Sequence, residues 1–196
     1  MKTVQIIHAL DDQAFINSCL NGHIEIDNLL IEHGANIHAQ NDLAFIYSCM
    51  DGHVEIAKLL IDLGADIHAQ DNLAFINSCT YGRIEIVKLL IESGANIHAQ
   101  NDEAFIRSCT NGRHINIVKL LIDLSANIHA QNDQAFINSC MNGHFEIVKL
   151  LIDLGADIHA QDDKALNESI KCKKYNILEL LLENDVDATK IEFLDN

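Results

Sequence analysis

Histidine and cysteine are the side chains in this sequence best suited to metal binding or nucleophilic chemistry, and their spacing decides what they can do. Of eleven histidines, five (His38, His68, His98, His129, His159) recur at one position of a repeated unit. Zinc needs its ligands at about 2.0–2.1 Å, so histidines a whole repeat apart cannot share one ion, and no metal site is expected. Five of the six cysteines recur in the same way: Cys19, Cys49, Cys79, Cys109 and Cys140 lie 30, 30, 30 and 31 residues apart. Equivalent places in stacked helices sit roughly 8–10 Å apart, beyond the Cα separation of about 7 Å that a disulfide tolerates. These thiols read as reduced, half-buried packing groups suited to a reducing compartment. Cys172 falls off the register and is expected nearer the surface. Ser48, Cys49 and His53 recur as packing and turn residues, so they form no unique triad, and no glycine-rich phosphate loop follows a strand. The sequence therefore predicts no catalytic residues, no cofactor and no metal.

The elements that carry these residues repeat with a period of about thirty. The units run 12–41, 42–71, 72–101, 102–132, 133–162 and a divergent 163–192, with residues 1–11 reading as the tail of an incomplete preceding unit. Each predicts two helices. The first opens at an Asp or Asn suited to N-capping (Asp12, Asp42, Asn72, Asp102, Asp133, Asp163) and buries Phe45, Ser48 and Cys49 or their counterparts. An Asn-Gly or Asp-Gly turn follows, then a second helix with Ile56, Leu59 and Leu60 on one face, ending at Gly34, Gly64, Gly94 or Gly155. Ser125 stands in that glycine position in the fourth unit, which also carries one extra residue, Arg113 or His114, in its inter-helix turn. A lone helix pair cannot bury its apolar stripe, so the units must stack, giving one expected domain over 1–196.

The segment GHVEIAKLLIDLGADIHA and its siblings resemble the second half of the ankyrin repeat over residues 12 to about 188. The resemblance implies an all-α ankyrin-repeat helical solenoid of paired antiparallel helices. The first half departs from the family: Leu43-Ala44-Phe45-Ile46 stands where a Thr-Pro-Leu-His start is usual, and the chain has no proline. The unit is also short of the usual period of about 33, so shortened inter-repeat loops replace the β-hairpin fingers. Short, proline-poor repeats of this kind are similar to those of ankyrin proteins in giant amoebal DNA viruses, which implies a viral protein acting on host proteins. Some such proteins serve as substrate receptors in ubiquitin ligases, but this length leaves no room for an added ligase-docking domain. The resemblance also implies a capping or bridging role for His23, His53 and His144, and makes hydroxylation at the His38 position possible.

Charge narrows the partner. With 29 acidic and 13 basic residues the formal charge is −16, which repels nucleic acid and anionic membranes. No stretch reads as a signal peptide or membrane span, so a cytoplasmic protein is expected. The expected function is protein–protein interaction, with no enzymatic activity.

Packing demands the same residue in every unit, whereas a partner meets each unit differently, so positions that vary are the candidates. In the ankyrin fold those positions line the concave groove of first helices. There Tyr47, Met50, Asp51, Tyr81, Arg107 and Met141 supply the aromatic, methionine and arginine character enriched at interfaces. At the chain's two ends, Asn167, Glu168, Lys171, Lys173, Lys174 and Asp185 read as a polar C-terminal cap, while Asp27 and Asn28 cap the first unit only in part. A monomer is expected, with residues 1–11 over the open end, and the alternative is a self-associating structural protein that buries its N-terminal face against another copy.

Overall fold

The computed structural model describes residues 12–184. The expectations placed on residues 1–11 and on Asp185 lie outside the described residues. By its contacts the chain divides into two units, 1–100 and 101–196. In the first, α1 (Gln13–Asn21), α3 (Ala39–Asp51) and α5 (Ala69–Thr80) are first helices, each followed by its partner α2 (Ile24–Glu32), α4 (Val54–Asp62) or α6 (Ile84–Glu92). In the second, α7 (Ala99–Asn111), which opens at the boundary, α9 (Ala130–Asn142) and α11 (Ala160–Lys171) pair with α8 (Ile115–Asp123), α10 (Phe145–Asp153) and α12 (Tyr175–Glu183). All regular structure among the described residues is helical. First helices pack on first helices and second on second, α1 on α3 on α5 in one unit and α9 on α11, α10 on α12 in the other.

The recurrent residues make the core. Phe15, Phe45 and Phe75 in the first unit, and Phe105 and Phe136 in the second, are fully buried, as are the five repeated cysteines. Each such Phe contributes about 1.5–3 kcal/mol by leaving water. The repeated serines satisfy buried carbonyls: Ser78 donates to the Cys49 carbonyl at 3.2 Å and Ser139 to that of Cys109 at 3.3 Å, joining successive first helices. Burial pushes the Cys49 thiol up to about 12 and raises the other four as well, which leaves them unreactive.

The shortened loop takes an unexpected form. Gln40, Asn41 and Asp42 all have positive φ, at 53°, 56° and 59°, and the same left-handed triplet recurs at 70–72, 100–102, 131–133 and 161–163. Three consecutive left-handed residues are costly for L-amino acids, and glutamine has none of the local tolerance of Asn or Asp. Contacts between repeats compensate. The Gln70 amide donates to the carbonyls of Gln40 and Asn41 at 3.3 and 3.2 Å, and Gln161 repeats this on Gln131 and Asn132 at 3.4 and 3.0 Å.

Two local expectations change. Asp12 makes no cap bond to its own helix. Its carboxylate accepts the Asn36 backbone N–H at 3.0 Å, as Asp42 accepts that of Asp66 at 3.1 Å and Asp133 that of Asp157 at 3.0 Å. With this residue left-handed, its side chain reaches the loop that closes the same repeat instead of the first turn. Asp27 is no solvated cap either: it is fully buried, and neither carboxylate oxygen has a hydrogen-bond partner. Ser125 does adopt the left-handed conformation of the glycine it replaces, with φ 70°. The fourth unit's extra residue does lie between α7 and α8.

Candidate protein-binding faces

The histidines are structural at both of their positions. Nδ1 of His38, His129 and His159 donates to the carboxylates of Asp42, Asp133 and Asp163 at 3.0, 3.0 and 2.6 Å, and His68 pairs with Asn72 at 2.8 Å. Each imidazole thus braces the residue that holds the closing loop. Among the described residues no three His, Cys, Asp or Glu side chains gather as a metal site would require. The turn histidines bridge repeats: Nε2 of His53 donates to the Leu20 carbonyl and Nε2 of His144 to that of Thr110, both at 2.9 Å. Arg83 does the same from Nε to the Met50 carbonyl at 2.9 Å. This close bridging explains the turn glycine, since a Cβ on Gly22 would lie 2.6 Å from the His53 ring.

The candidate binding residues fall into two groups. In the first unit Tyr47, Met50 and Asp51 are half-buried on the last turns of α3, and Tyr81, directly after α5, is 49% exposed. In the second unit Met141 is half-buried near the end of α9, and Arg107 is held on α7 by Glu103 at 2.6 Å. Several of the neighbouring variable positions there are engaged with one another. Gln134 donates to Asn138 at 2.6 Å, Asn138 to the Thr110 hydroxyl at 2.8 Å, and Asn142 to the Thr110 carbonyl at 3.1 Å. Asn138 and Asn142 thus join neighbouring repeats, a role that spacing alone does not reveal.

The structure adds residues that the sequence reading passed over. On α2, Ile26 is 49% and Leu29 54% exposed, although the equivalents of Ile26 at 56, 86, 117, 147 and 177 are at most 2% exposed. In the second unit the first residues of α10 and α12 are exposed as well, Phe145 at 36% and Tyr175 at 71%. The signal was in the sequence, because that position reads Ile24, Val54, Ile84, Ile115, Phe145, Tyr175 and turns aromatic only at the end.

Comparison with known proteins agrees with this geometry. The family model for ankyrin repeats (3 copies) matches residues 3–71 and 105–191, and that for ankyrin repeats (many copies) matches 74–122. The chain belongs to the ankyrin-repeat family. Its fold is that of an ankyrin-repeat solenoid, similar to the crystal structure of the human ASB11 ankyrin repeat domain. That likeness has a TM-score of 0.74 at 22% identity, over 88% of this chain and 84% of that one. No curated protein matches the chain. Ankyrin repeats generally mediate protein–protein interaction. No helix among the described residues is long and apolar enough to cross a membrane.

Proposed function

We propose that this ankyrin-repeat protein binds a partner protein through its first helices, by Tyr47, Met50, Asp51 and Tyr81 in the first unit and by Arg107 and Met141 in the second. The observation that carries the reading is Tyr81, a large aromatic side chain left 49% exposed at the end of a first helix. An interface anchor of this type contributes little to the stability of the free protein and much to binding. The likeness to short repeats of giant amoebal viruses supports a host protein as the target, met in the cytoplasm. The array acts as a binding surface with no enzymatic step and no cofactor. Partners recovered from cell lysate should be lost when Tyr47, Tyr81 and Arg107 are changed to alanine. Retention of the same partner by the triple variant would show that another face holds it.

The exposed Ile26 and Leu29 favour a second reading, self-association through the N-terminal face of α2. Sedimentation separates the two: a dimer of about twice 21.8 kDa at all concentrations selects self-association, and a monomer selects partner binding.

A further inference from the structure

The turns joining first to second helices differ in chemistry between the two units. In the first unit they carry Glu25, Asp51, Glu55 and Glu85 against Arg83, whose Nε is already given to the Met50 carbonyl. In the second unit Asn116 and Asn176 stand where two of the glutamates would be, leaving Glu146 against Arg113, Lys173 and Lys174. Arg113 and Lys173 are exposed, and Lys174 is half-buried. This edge is therefore locally basic on a chain whose formal charge is −16.

The same edge collects departures from the repeat that stacking does not call for. Arg113 belongs to the one turn with an extra residue. Lys173 occupies a turn-glycine position in a left-handed conformation, φ 55°, at a backbone cost that glycine would avoid. Phe145 and Tyr175 replace Val or Ile at the head of α10 and α12, which pack side by side. Beside Phe145 lies a cleft of about 260 Å³, lined by Gly112, Ile115, His144, Phe145, Glu146 and Ile147. Its size suits one or two side chains, below the range of sites that hold drug-sized ligands.

We infer that this turn edge of the second unit is a docking surface for an acidic segment of a partner protein, which lodges a large apolar side chain beside Phe145 and sets its carboxylates against Arg113 and Lys173. Charge complementarity selects the occupant. Opposite charges steer the encounter, and the apolar cleft supplies contact that a purely charged ligand would waste. A nucleic acid fits less well, because its phosphates repeat at every nucleotide and run beyond these few cations into the field of the whole acidic chain, whereas a short acidic segment can confine its charge to them. The surface is separate from the first-helix residues of the proposed function, and either reading stands without the other.

The test uses the full chain and a fluorescein-labelled twelve-residue peptide of Asp and Glu around a central Phe-Leu pair. Saturable binding that weakens as salt is added is expected. Phe145→Val with Tyr175→Ile installs residues that other repeats carry at this position (Val54, Ile84), and Arg113→Ser with Lys173→Gly removes the charge and restores the turn glycine. These replacements suit the fold, and each pair should weaken binding at least tenfold, whereas Tyr47→Ala with Tyr81→Ala should leave it unchanged. Replacing the peptide's acids by lysine, or its Phe-Leu pair by serine, should also abolish binding. The inference is overturned if the peptide does not saturate or if its lysine version binds equally. Binding of a single-stranded oligonucleotide or a phosphatidylserine vesicle at this edge without the peptide also overturns it.

Discussion

The first repeat, 12–41, and the fifth, 133–162, share Ala-Phe-Ile-Asn-Ser-Cys and the same closing Ile-His-Ala-Gln, yet their second helices meet opposite fates. On α10, Ile147 is 1% exposed and Val148 is fully buried. On α2 the equivalent Ile26 is 49% exposed, and Asp27 occupies the valine slot as a buried, unpartnered carboxylate. Near-identical residues thus contribute according to what covers them, as expected where stability is a sum of repeat terms and nearest-neighbour interfaces. The first repeat keeps its own core, with Phe15, Ile16 and Cys19 all at 0% exposure, while its second helix leaves Ile26 and Leu29 open.

Transplanting that difference gives the largest expected effect. Val148→Asp places an unpaired carboxylate in a slot closed on all sides and should cost about 3–5 kcal/mol, the penalty of a buried charge left without a partner. Urea unfolding of the variant measures it. A cost under 1 kcal/mol would mean that water reaches this slot and that the comparison with Asp27 fails.

The reverse change is smaller and depends on pH. Burial raises the Asp27 carboxyl above its ordinary value. Because the folded protein binds this proton more tightly than the unfolded chain, the protonated group's contribution is fully present below the unfolded value of about 3.9. It is lost as pH rises through the higher folded value. Asp27→Val should therefore stabilise the first repeat by about 1–3 kcal/mol at pH 7, with the gain shrinking toward pH 4. Hydrogen exchange of the α1 and α2 amides at both pH values follows the repeat itself. A gain that does not depend on pH would assign the effect to packing and not to the charge.

Much of this architecture was legible because period and packing are one fact: a residue that recurs every thirty positions must meet its own copy in the next unit. That logic located the helix pairs, the buried Phe ladder and the extra residue at Arg113 or His114; the family resemblance supplied the bridging His53 and His144, and the cysteines expected to be half-buried are fully buried. The logic of the period failed where a residue's role depends on a neighbour in space. Gln40 has no propensity for a left-handed turn, and its carbonyl accepts the amide of Gln70 from the next repeat, a partner its own segment does not reveal. Asp42 reads as an N-cap until its own backbone turns left-handed and sends the carboxylate to Asp66. Among the candidate binding positions, the sequence separates Tyr81 from its neighbours by type. It could not show that Asn138 and Asn142 are both bonded to Thr110 of the preceding repeat. Phe145 and Tyr175 were hidden for the opposite reason: an apolar residue at the head of a second helix looks like core until its exposure is known.

The smallest effect tests whether backbone strain is confined to single positions in otherwise equivalent repeats. After their second helices the first and fifth repeats place Gly34 and Gly155 at φ 92° and 89°, with no atom within 4 Å of where a Cβ would stand. The fourth repeat puts Ser125 there at φ 70°. If space is open at this position in every repeat, a side chain costs only its left-handed backbone, roughly 1 kcal/mol. Ser125→Gly should then gain about what Gly155→Ser loses, each near 1 kcal/mol, and thermal unfolding of the two single variants and the double variant reads the balance. Equal and opposite shifts that cancel in the double variant make the penalty local and the repeats interchangeable at this position. A loss at Gly155 well beyond the gain at Ser125 would instead mean that the fourth repeat has adjusted around its serine, and that equivalence of sequence position does not extend to the energy of the turn.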